Sequence, residues 1–441
     1  PDTDIANEIV ALRAELDALK TKQEEAEATA LLSQGEEPAT ATDTQSEMLR
    51  VYGFMDFGLD KFFFGSTNDG FALIRPTPAT TFVFGNLNLY FDAKPVEHLR
   101  TLLEVRLTAA PHGEETSLGP PLGTSYDRID TTAFDFSSPS AQSQLRLGGL
   151  FIERAWSEYT FDDLLKVQWG LFLNPFGIWN LDHGSPTLIA LMLPTFISSQ
   201  MVPTRLLGVN AYGSKFFGSN EVGYAVHISN GRSPLDFALT ENKGLGARLY
   251  AAHEGDFGRL VVGMSGYFGS YVDVAKTIVG APNNTFDWAK TIDYSEQVVG
   301  VDAALDVGDL RVRAEGVLRW IGYHDGKSEQ IFTGDGSQQF LTNRLEWATY
   351  ILAAYRTPWR IEPYLEAELS SKSYTLPRFA GSSRASSANV AAMNLSAGFN
   401  VELTTHTLFK TQVVWDQAYD RHFKNRSTSM PILFIRVVDS F

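Results

Sequence analysis

The sequence of 441 residues contains no cysteine and no long apolar run. Without cysteine the chain can form neither a disulfide nor a thiolate metal site. A membrane-spanning helix needs about 20 mostly apolar residues, and no such stretch is present. The sequence therefore excludes a helical membrane protein. In hydrocarbon, a closed β-barrel is the other structure that satisfies every backbone hydrogen bond.

The C-terminal segment alternates apolar and other residues and stops on an aromatic side chain. Successive strand side chains point to opposite faces, so one face of this segment carries Leu433, Ile435, Val437 and Phe441, interrupted only by Asp439. Such an ending is typical of outer-membrane barrels, which present it to their assembly machinery. A soluble β-protein that ends on an aromatic is the alternative interpretation. Phe441 is the candidate barrel assembly signal.

The same alternation recurs along the chain and favours the barrel. Residues 310–320 place apolar side chains on one face and charged ones on the other, and residues 359–372 repeat the pattern. Aromatic residues lie near the ends of the apolar faces, namely Trp320, Trp347, Tyr355, Trp359 and Trp415. An apolar band flanked by aromatic girdles, with a polar interior, is the signature of a barrel in lipid.

The spacing of these runs predicts an all-β fold, an antiparallel transmembrane β-barrel of about sixteen strands over residues 48–441. Short and long links alternate, as in outer-membrane barrels, and an even count places both ends of the barrel in the periplasm. Counts of fourteen or eighteen remain alternatives. We predict strands near residues 49–61, 81–93, 97–109, 143–161, 164–174, 202–214, 220–230, 243–253, 257–272, 294–307, 309–323, 340–356, 359–373, 390–404, 406–417 and 431–441.

Alternation also predicts which charged side chains face the interior. Opposite charges across a water-filled pore would sort solutes by charge, while pairs on neighbouring strands would stiffen the wall. We expect both roles, and weak ion selectivity. The predicted pore-lining residues are Arg100, Glu104, Arg106, Lys166, Arg311, Arg313, Glu315, Arg319, Arg344, Glu346, Arg356, Arg360, Glu362 and Glu366.

The N-terminal segment is a different kind of chain. Residues 1–46 hold 11 acidic and 3 basic residues, within a net charge of −16 for the whole sequence. A heptad spacing, typical of a coiled coil, joins the candidate oligomerisation residues Ile5, Ile9, Leu12, Leu16 and Leu19. We predict a periplasmic coiled coil over residues 1–32 and a flexible linker over 33–47. A single amphipathic helix lying on the barrel is the alternative.

A family resemblance appears in the stretches Ile152–Phe161, Leu165–Gly177 and Ile178–Gly184. They are similar to the strand, turn, strand and loop of porins in the phosphate-selective porin O and P superfamily, most clearly over residues 143–215. The resemblance implies a sixteen-stranded trimeric channel in the outer membrane of a Gram-negative bacterium, often with an N-terminal coiled coil. Its partners would be outer-membrane lipid, two further copies in a homotrimer, and small solutes or ions.

The third of the longer links, residues 175–201 and here called the third loop, is apolar over residues 187–197 and must be buried. It could pack on the inner wall, plug the barrel or sit in a subunit interface, and resemblance to porins favours the inner wall. Asn180, Asp182 and His183 would then border a constriction. The third loop contains no Lys or Arg, so we expect general conduction rather than phosphate selectivity.

No enzymatic motif is complete in this sequence, and we predict no catalytic residue, metal or cofactor and no nucleic-acid partner. The predicted function is a porin, a channel for passive diffusion of small hydrophilic solutes or ions that the third loop constricts. The alternative is a membrane anchor or structural barrel whose coiled coil binds a periplasmic partner or the cell wall.

Overall fold

The computed structural model describes residues 48–63, 80–108, 149–181, 184–198, 201–232, 243–278, 286–323, 344–375, 387–420 and 426–441. The predicted coiled coil and linker over residues 1–47 lie outside the described residues, and so do all five seam residues from Ile5 to Leu19. The coiled coil and the linker therefore stay predictions.

The described chain forms a closed barrel of sixteen strands, so the predicted all-β fold and strand number are confirmed. Each strand pairs antiparallel with its neighbour in sequence, and β1 pairs with β16. The strands are β1 (Leu49–Phe62), β2 (Thr81–Val96), β3 (Leu99–Thr108), β4 (Gly149–Asp162), β5 (Leu165–Leu173), β6 (Arg205–Phe217), β7 (Asn220–Ser229), β8 (Gly244–Gly255), β9 (Gly258–Ile278), β10 (Phe286–Val307), β11 (Leu310–Tyr323), β12 (Arg344–Tyr355), β13 (Ile361–Thr375), β14 (Ser387–Glu402), β15 (Thr407–Asp420) and β16 (Arg426–Ser440).

Short turns join the strands at one end of the barrel. The tightest leave two residues between strands, as at Gly308 and Asp309 between β10 and β11. Gly308 has a φ of 55°, a left-handed conformation that glycine adopts without steric cost. The links at the other end are mostly longer. Strands β9 and β10 run beyond their predicted ends, so the link between them shortens to residues 279–285.

Alternation along each strand divides the barrel into two chemically different faces. On β12, Leu345 and Ile351 point outward and are 51% and 54% exposed, whereas Glu346, Tyr350 and Leu352 point inward and are buried. Most of the predicted girdle aromatics are also exposed on the outside, among them Trp320, Tyr355, Trp359 and Trp415. The outer surface is therefore apolar and the inner surface carries the charges.

Helix is nearly absent from the described residues. A single turn, α1 (Thr195–Ser198), lies in the link between β5 and β6. No helix in the described part of the chain is long and apolar enough to cross a membrane.

The chain terminus completes the seam between the first and last strands. The Phe441 amide donates to the Gly53 carbonyl at 2.9 Å, and the Gly53 amide donates to the Phe441 carbonyl at 2.9 Å. A side chain at position 53 would meet the Asn88 carbonyl and the Phe441 ring. The final residue is thus part of the closing strand pair.

Deletion of Phe441 should lower the fraction of folded barrel in the outer membrane. The truncated chain loses two backbone hydrogen bonds at the seam, each worth about 0.5–1.5 kcal/mol, together with the candidate assembly signal. The folded fraction can be measured by migration on unheated denaturing gels after membrane isolation. Phe441→Tyr keeps the backbone and an aromatic ring and serves as the control. Normal membrane levels of the deletion would contradict the assigned role.

Candidate functional site

The third loop lies against the inward faces of strands on several sides of the barrel. Its described residues contact side chains of β1, β9, β11, β13, β14 and β15. A segment can reach the polar faces of all these strands only from inside the barrel. The candidate functional site is therefore the barrel interior and the third loop within it.

Asn180 ties the two ends of the link together. Its Nδ2 donates to the carbonyl of Asn174 at 2.7 Å and to the carbonyl of Thr204 at 3.0 Å. The Asn174 amide also donates to the Thr204 carbonyl at 2.9 Å. Asn180 is buried, so the structure places it at the base of the loop. The other two predicted constriction residues, Asp182 and His183, lie outside the described residues.

Glu315 on β11 anchors the first half of the third loop. Its two carboxylate oxygens accept the amides of Ile178 at 2.9 Å and Trp179 at 2.8 Å. The Tyr350 hydroxyl donates to the same carboxylate at 2.7 Å. Glu315 is only 3% exposed. These charge-assisted hydrogen bonds replace the water that a buried carboxylate loses, and they hold the loop to the wall.

Lys410 on β15 anchors the middle of the loop. Its ammonium donates to the Ser185 carbonyl at 2.9 Å and to the Leu188 carbonyl, and the side chain is fully buried. On the neighbouring strand, Asn400 donates from Nδ2 to the Ile189 carbonyl at 3.1 Å. Carbonyl oxygens of the loop thus supply the polar partners that a buried ammonium requires.

Gln412 and Glu368 hold the remaining part of the loop through its amides. Gln412 Oε1 accepts from Leu191 at 2.7 Å and from Met192 at 2.8 Å. Glu368 on β13 accepts the amide of Thr195, the first residue of α1. The hydrogen bonds between the inner wall and the loop therefore join mainly side chains of the wall to backbone groups of the loop.

Apolar packing completes the attachment. The Phe196 ring of α1 stacks on Tyr350 with centroids 6.2 Å apart and planes 8° from parallel. Phe176, Phe196 and Met201 are almost fully buried in one cluster with inward side chains such as Val317. The apolar composition of the loop is accordingly accommodated on the inner wall of the barrel.

Most of the predicted pore-lining charges are neutralised by a neighbour. Glu104, Arg319 and Glu346 are buried among oppositely charged partners. Lys166 lies 6.0 Å from the centroid of the Tyr212 ring. The ion pairs are Arg100 with Asp92, Arg106 with Glu153, Glu104 with Arg154, and Arg319 with both Glu296 and Glu346.

Three predicted pore-lining side chains are not seen inside the barrel. Arg356 and Arg360 lie in the turn between β12 and β13, where their side chains are 63% and 64% exposed. The structure thus places them at the barrel rim, because β12 ends at Tyr355 and β13 begins at Ile361. The side chain of Arg344 is outside the described residues.

The remaining predicted residues meet beside the third loop. Arg311 donates to Glu362 at 2.8 Å, and Arg313 donates to Asp306 at 2.7 Å. A cavity of about 50 Å³ separates this part of the wall from the loop, and Glu366 lines it as well. We call this space the loop cleft. Its lining is Ile178, Trp179, Thr187, Leu188, Ile189, Ala190, Arg311, Arg313, Tyr350, Leu352 and Glu366.

Sequence reasoning missed the wall residues that hold the loop, chiefly Lys410, Gln412 and Asn400. Alternation alone places Lys410 and Gln412 on the inward face of β15. Their contacts with the loop join residues more than 200 positions apart, for example 225 between Lys410 and Ser185. No local pattern encodes such a pairing.

Glu315→Gln should loosen the first half of the third loop. Glutamine keeps one acceptor oxygen but directs an NH2 group at donors, so at least one buried amide or hydroxyl loses its partner at a cost of about 1–3 kcal/mol. We expect faster amide hydrogen exchange at Ile178 and Trp179, measured by mass spectrometry. The control is Glu221→Gln, because Glu221 is also buried and accepts a tyrosine hydroxyl, that of Tyr250. Equal exchange at the loop in both variants would argue against the anchor.

No protein-family model matches the chain, and no curated protein is significantly similar to it. Among solved structures, in-vitro folded OmpT, an outer membrane protein of Vibrio cholerae, is 10% identical with a TM-score of 0.51, covering 91% of this chain and 100% of that one. Its trimer form is 11% identical with a TM-score of 0.51, over 89% and 99% of the two chains. An anion-selective porin from Comamonas acidovorans is 10% identical with a TM-score of 0.50, over 89% and 99%. At these identities the likeness is one of fold: the chain has the barrel fold of outer-membrane porins.

Proposed function

We propose that this chain forms a water-filled channel in the outer membrane of a Gram-negative bacterium, through which small hydrophilic solutes or ions diffuse passively. One observation carries the proposal, namely a closed barrel that is apolar outside and charged inside. This distribution of apolar and charged side chains is the reverse of that in a soluble protein. It matches a barrel wall between lipid and water.

The outer surface supports a location in lipid. Large apolar side chains on neighbouring strands are about half exposed, for example Val226, Leu249, Met264 and Val301. Soluble monomers rarely expose continuous apolar surface of this extent. In a bilayer the same side chains contact acyl chains, and the exposed aromatics near the strand ends reach the interface.

The third loop would narrow the passage. It is fixed to the inner wall at β11 through Glu315 and at β15 through Lys410 and Gln412, so it occupies part of the interior. Because most of the predicted pore-lining charges among the described residues are paired and the loop has no Lys or Arg, we propose modest and general conduction. Phosphate selectivity, which the family resemblance implies, is not part of this proposal.

A homotrimer in which residues 1–32 form a periplasmic coiled coil is the assembly we propose. The heptad spacing of Ile9, Leu12 and Leu16 requires partner helices to leave water. Support for the number three comes from the family resemblance and from the trimer form of the Vibrio cholerae protein with a similar fold.

Chemical modification of a single cysteine in the loop should reduce conductance. The chain has no cysteine, so Leu193→Cys gives a unique reactive site on a loop residue that is 42% exposed. A bulky cationic thiol reagent attached there should narrow the water path, and the single-channel current in a planar bilayer should fall. The matched control is Leu403→Cys, which lies in the turn between β14 and β15 and is 55% exposed, where the reagent can react but the current should stay constant.

Deletion of residues 185–198 is the complementary change and should raise conductance. Unchanged current after complete labelling at position 193, together with unchanged conductance of the deletion, would refute a constricting loop. If the folded protein shows no current steps at all, the channel proposal fails and an anchoring barrel is favoured.

Replacement of Leu12 and Leu16 by Asp should weaken association of the N-terminal segments and leave barrel contacts in place. Charged residues in place of these two leucines cannot share an apolar seam. Native mass spectrometry should show trimers of the unmodified protein, and limited proteolysis should remove residues 1–47 faster in the variant. A monomer-only spectrum of the unmodified protein would disprove the proposed assembly.

A further inference from the structure

The loop cleft combines positive, negative and apolar groups within one small space. Its volume of about 50 Å³ has room for about four water molecules, at about 10–15 Å³ for each. The cleft can therefore take a few polar groups of about the size of a water molecule, such as the ammonium and the carboxylate oxygens of a small solute.

Charged residues of the cleft lie on both sides of an apolar residue, Leu352. Arg313 on β11 pairs in register with Leu352 on β12, which pairs with Glu366 on β13. Neighbouring strands lie about 4.8 Å apart, so the Cα atoms of Arg313 and Glu366 are roughly 10 Å apart. Both side chains point inward and line the cleft. The Arg313 guanidinium donates to Asp306 on β10, so Arg313 and Glu366 lie on opposite sides of Leu352.

The positive side has donors that remain available. Arg313 is held by two bonds to Asp306, at 2.7 and 3.1 Å. In the described part of the chain, Arg311 donates only from Nη1, to Glu362 at 2.8 Å. A guanidinium carries five N–H donors, so Arg311 can also donate to a solute carboxylate.

The negative side has acceptor capacity to spare. Glu366 is 9% exposed, and the one hydrogen bond that it accepts from the described residues comes from Gln412 Nε2 at 3.5 Å. A carboxyl group can accept several hydrogen bonds through its two oxygens. A solute ammonium would supply a charged donor, and its positive charge would favour the ionised form of the Glu366 carboxyl group.

The third loop supplies the apolar side of the cleft. Leu188, Ile189 and Ala190 line it together with Trp179, and their backbone groups are held by Lys410, Asn400 and Glu315 as described above. The surface presented to a solute is therefore fixed in place. It suits a short aliphatic or branched group next to the ionic head.

We propose that the loop cleft preferentially admits zwitterionic solutes with an apolar side chain, as in aliphatic α-amino acids. The solute carboxylate binds Arg311, its ammonium binds Glu366, and its side chain packs against residues 188–190. A solute that lacks one ionic group forms only one of these two charge-assisted hydrogen bonds and therefore binds more weakly. This inference deepens the proposed channel function and depends on it.

The test uses the purified protein in planar bilayers with four probes, L-leucine, 4-methylpentanoate, 3-methylbutylamine and glycine. The second probe lacks the ammonium of leucine, the third lacks the carboxylate, and glycine lacks the side chain. We expect leucine to modulate the open-channel current at a concentration at least about tenfold lower than any other probe, which corresponds to about 1.4 kcal/mol.

Two variants test whether the preference for leucine arises in the cleft. Glu366→Gln should remove the advantage of leucine over 4-methylpentanoate, and Arg311→Gln should remove its advantage over 3-methylbutylamine. Glu221→Gln on β7, outside the cleft, should keep both advantages. The comparison of the four probes on the unmodified protein is a test by itself, so the inference can be refuted even if a variant does not fold.

The outcomes separate this inference from the channel itself. Current steps that all four probes modulate equally would overturn the inference and leave the channel standing. Equal effects of leucine and 4-methylpentanoate would exclude Glu366 as a recognition group and would also overturn it. A folded protein without current steps would refute the channel and the inference together.

Discussion

Closure of the strand ring is the constraint on which the rest of this structure depends. Strand β1 finds its second partner in β16, so neither strand leaves an edge of unpaired amides and carbonyls. Once the ring is closed, alternation assigns every second side chain to the outside or to the inside. The same backbone arrangement thereby makes an apolar exterior and a charged interior.

The charged interior in turn requires partners, and the third loop provides many of them. Buried charges are costly unless they are paired or hydrogen-bonded. Glu315 accepts loop amides, and Lys410 donates to loop carbonyls. Hydrogen bonds to charged groups contribute about 1.5–3 kcal/mol each. The wall fixes the loop, and the loop satisfies several buried polar groups of the wall.

The extent to which the sequence predicts this structure follows from the range of each interaction. Strand number, strand order and inward faces are periodic properties of short segments, and they could be predicted from runs such as 310–320. Strand ends are harder to predict than strand number. Polar residues interrupt the alternation where β9 extends to Ile278 and where β10 begins at Phe286, so the sequence pattern alone ends both strands too early. The rim positions of Arg356 and Arg360 depend on a turn that alternation alone does not locate.

The contacts of the third loop could not be predicted for a different reason. They join positions as far apart as 225 residues, and they use backbone groups that every residue possesses. Composition showed that residues 187–197 must be buried, but not which strands would cover them. Interior residues such as Lys410 acquire their role only when the ring places β15 opposite this part of the loop.

Recognition of the loop through its backbone has a consequence for how such a protein can diverge. Lys410, Asn400, Gln412 and Glu315 bind carbonyls and amides of the loop, which do not change when its side chains are substituted. The path of the loop is thus uncoupled from much of its side-chain identity. Natural variation or protein engineering could alter the surface that solutes meet while the scaffold beneath it keeps its shape.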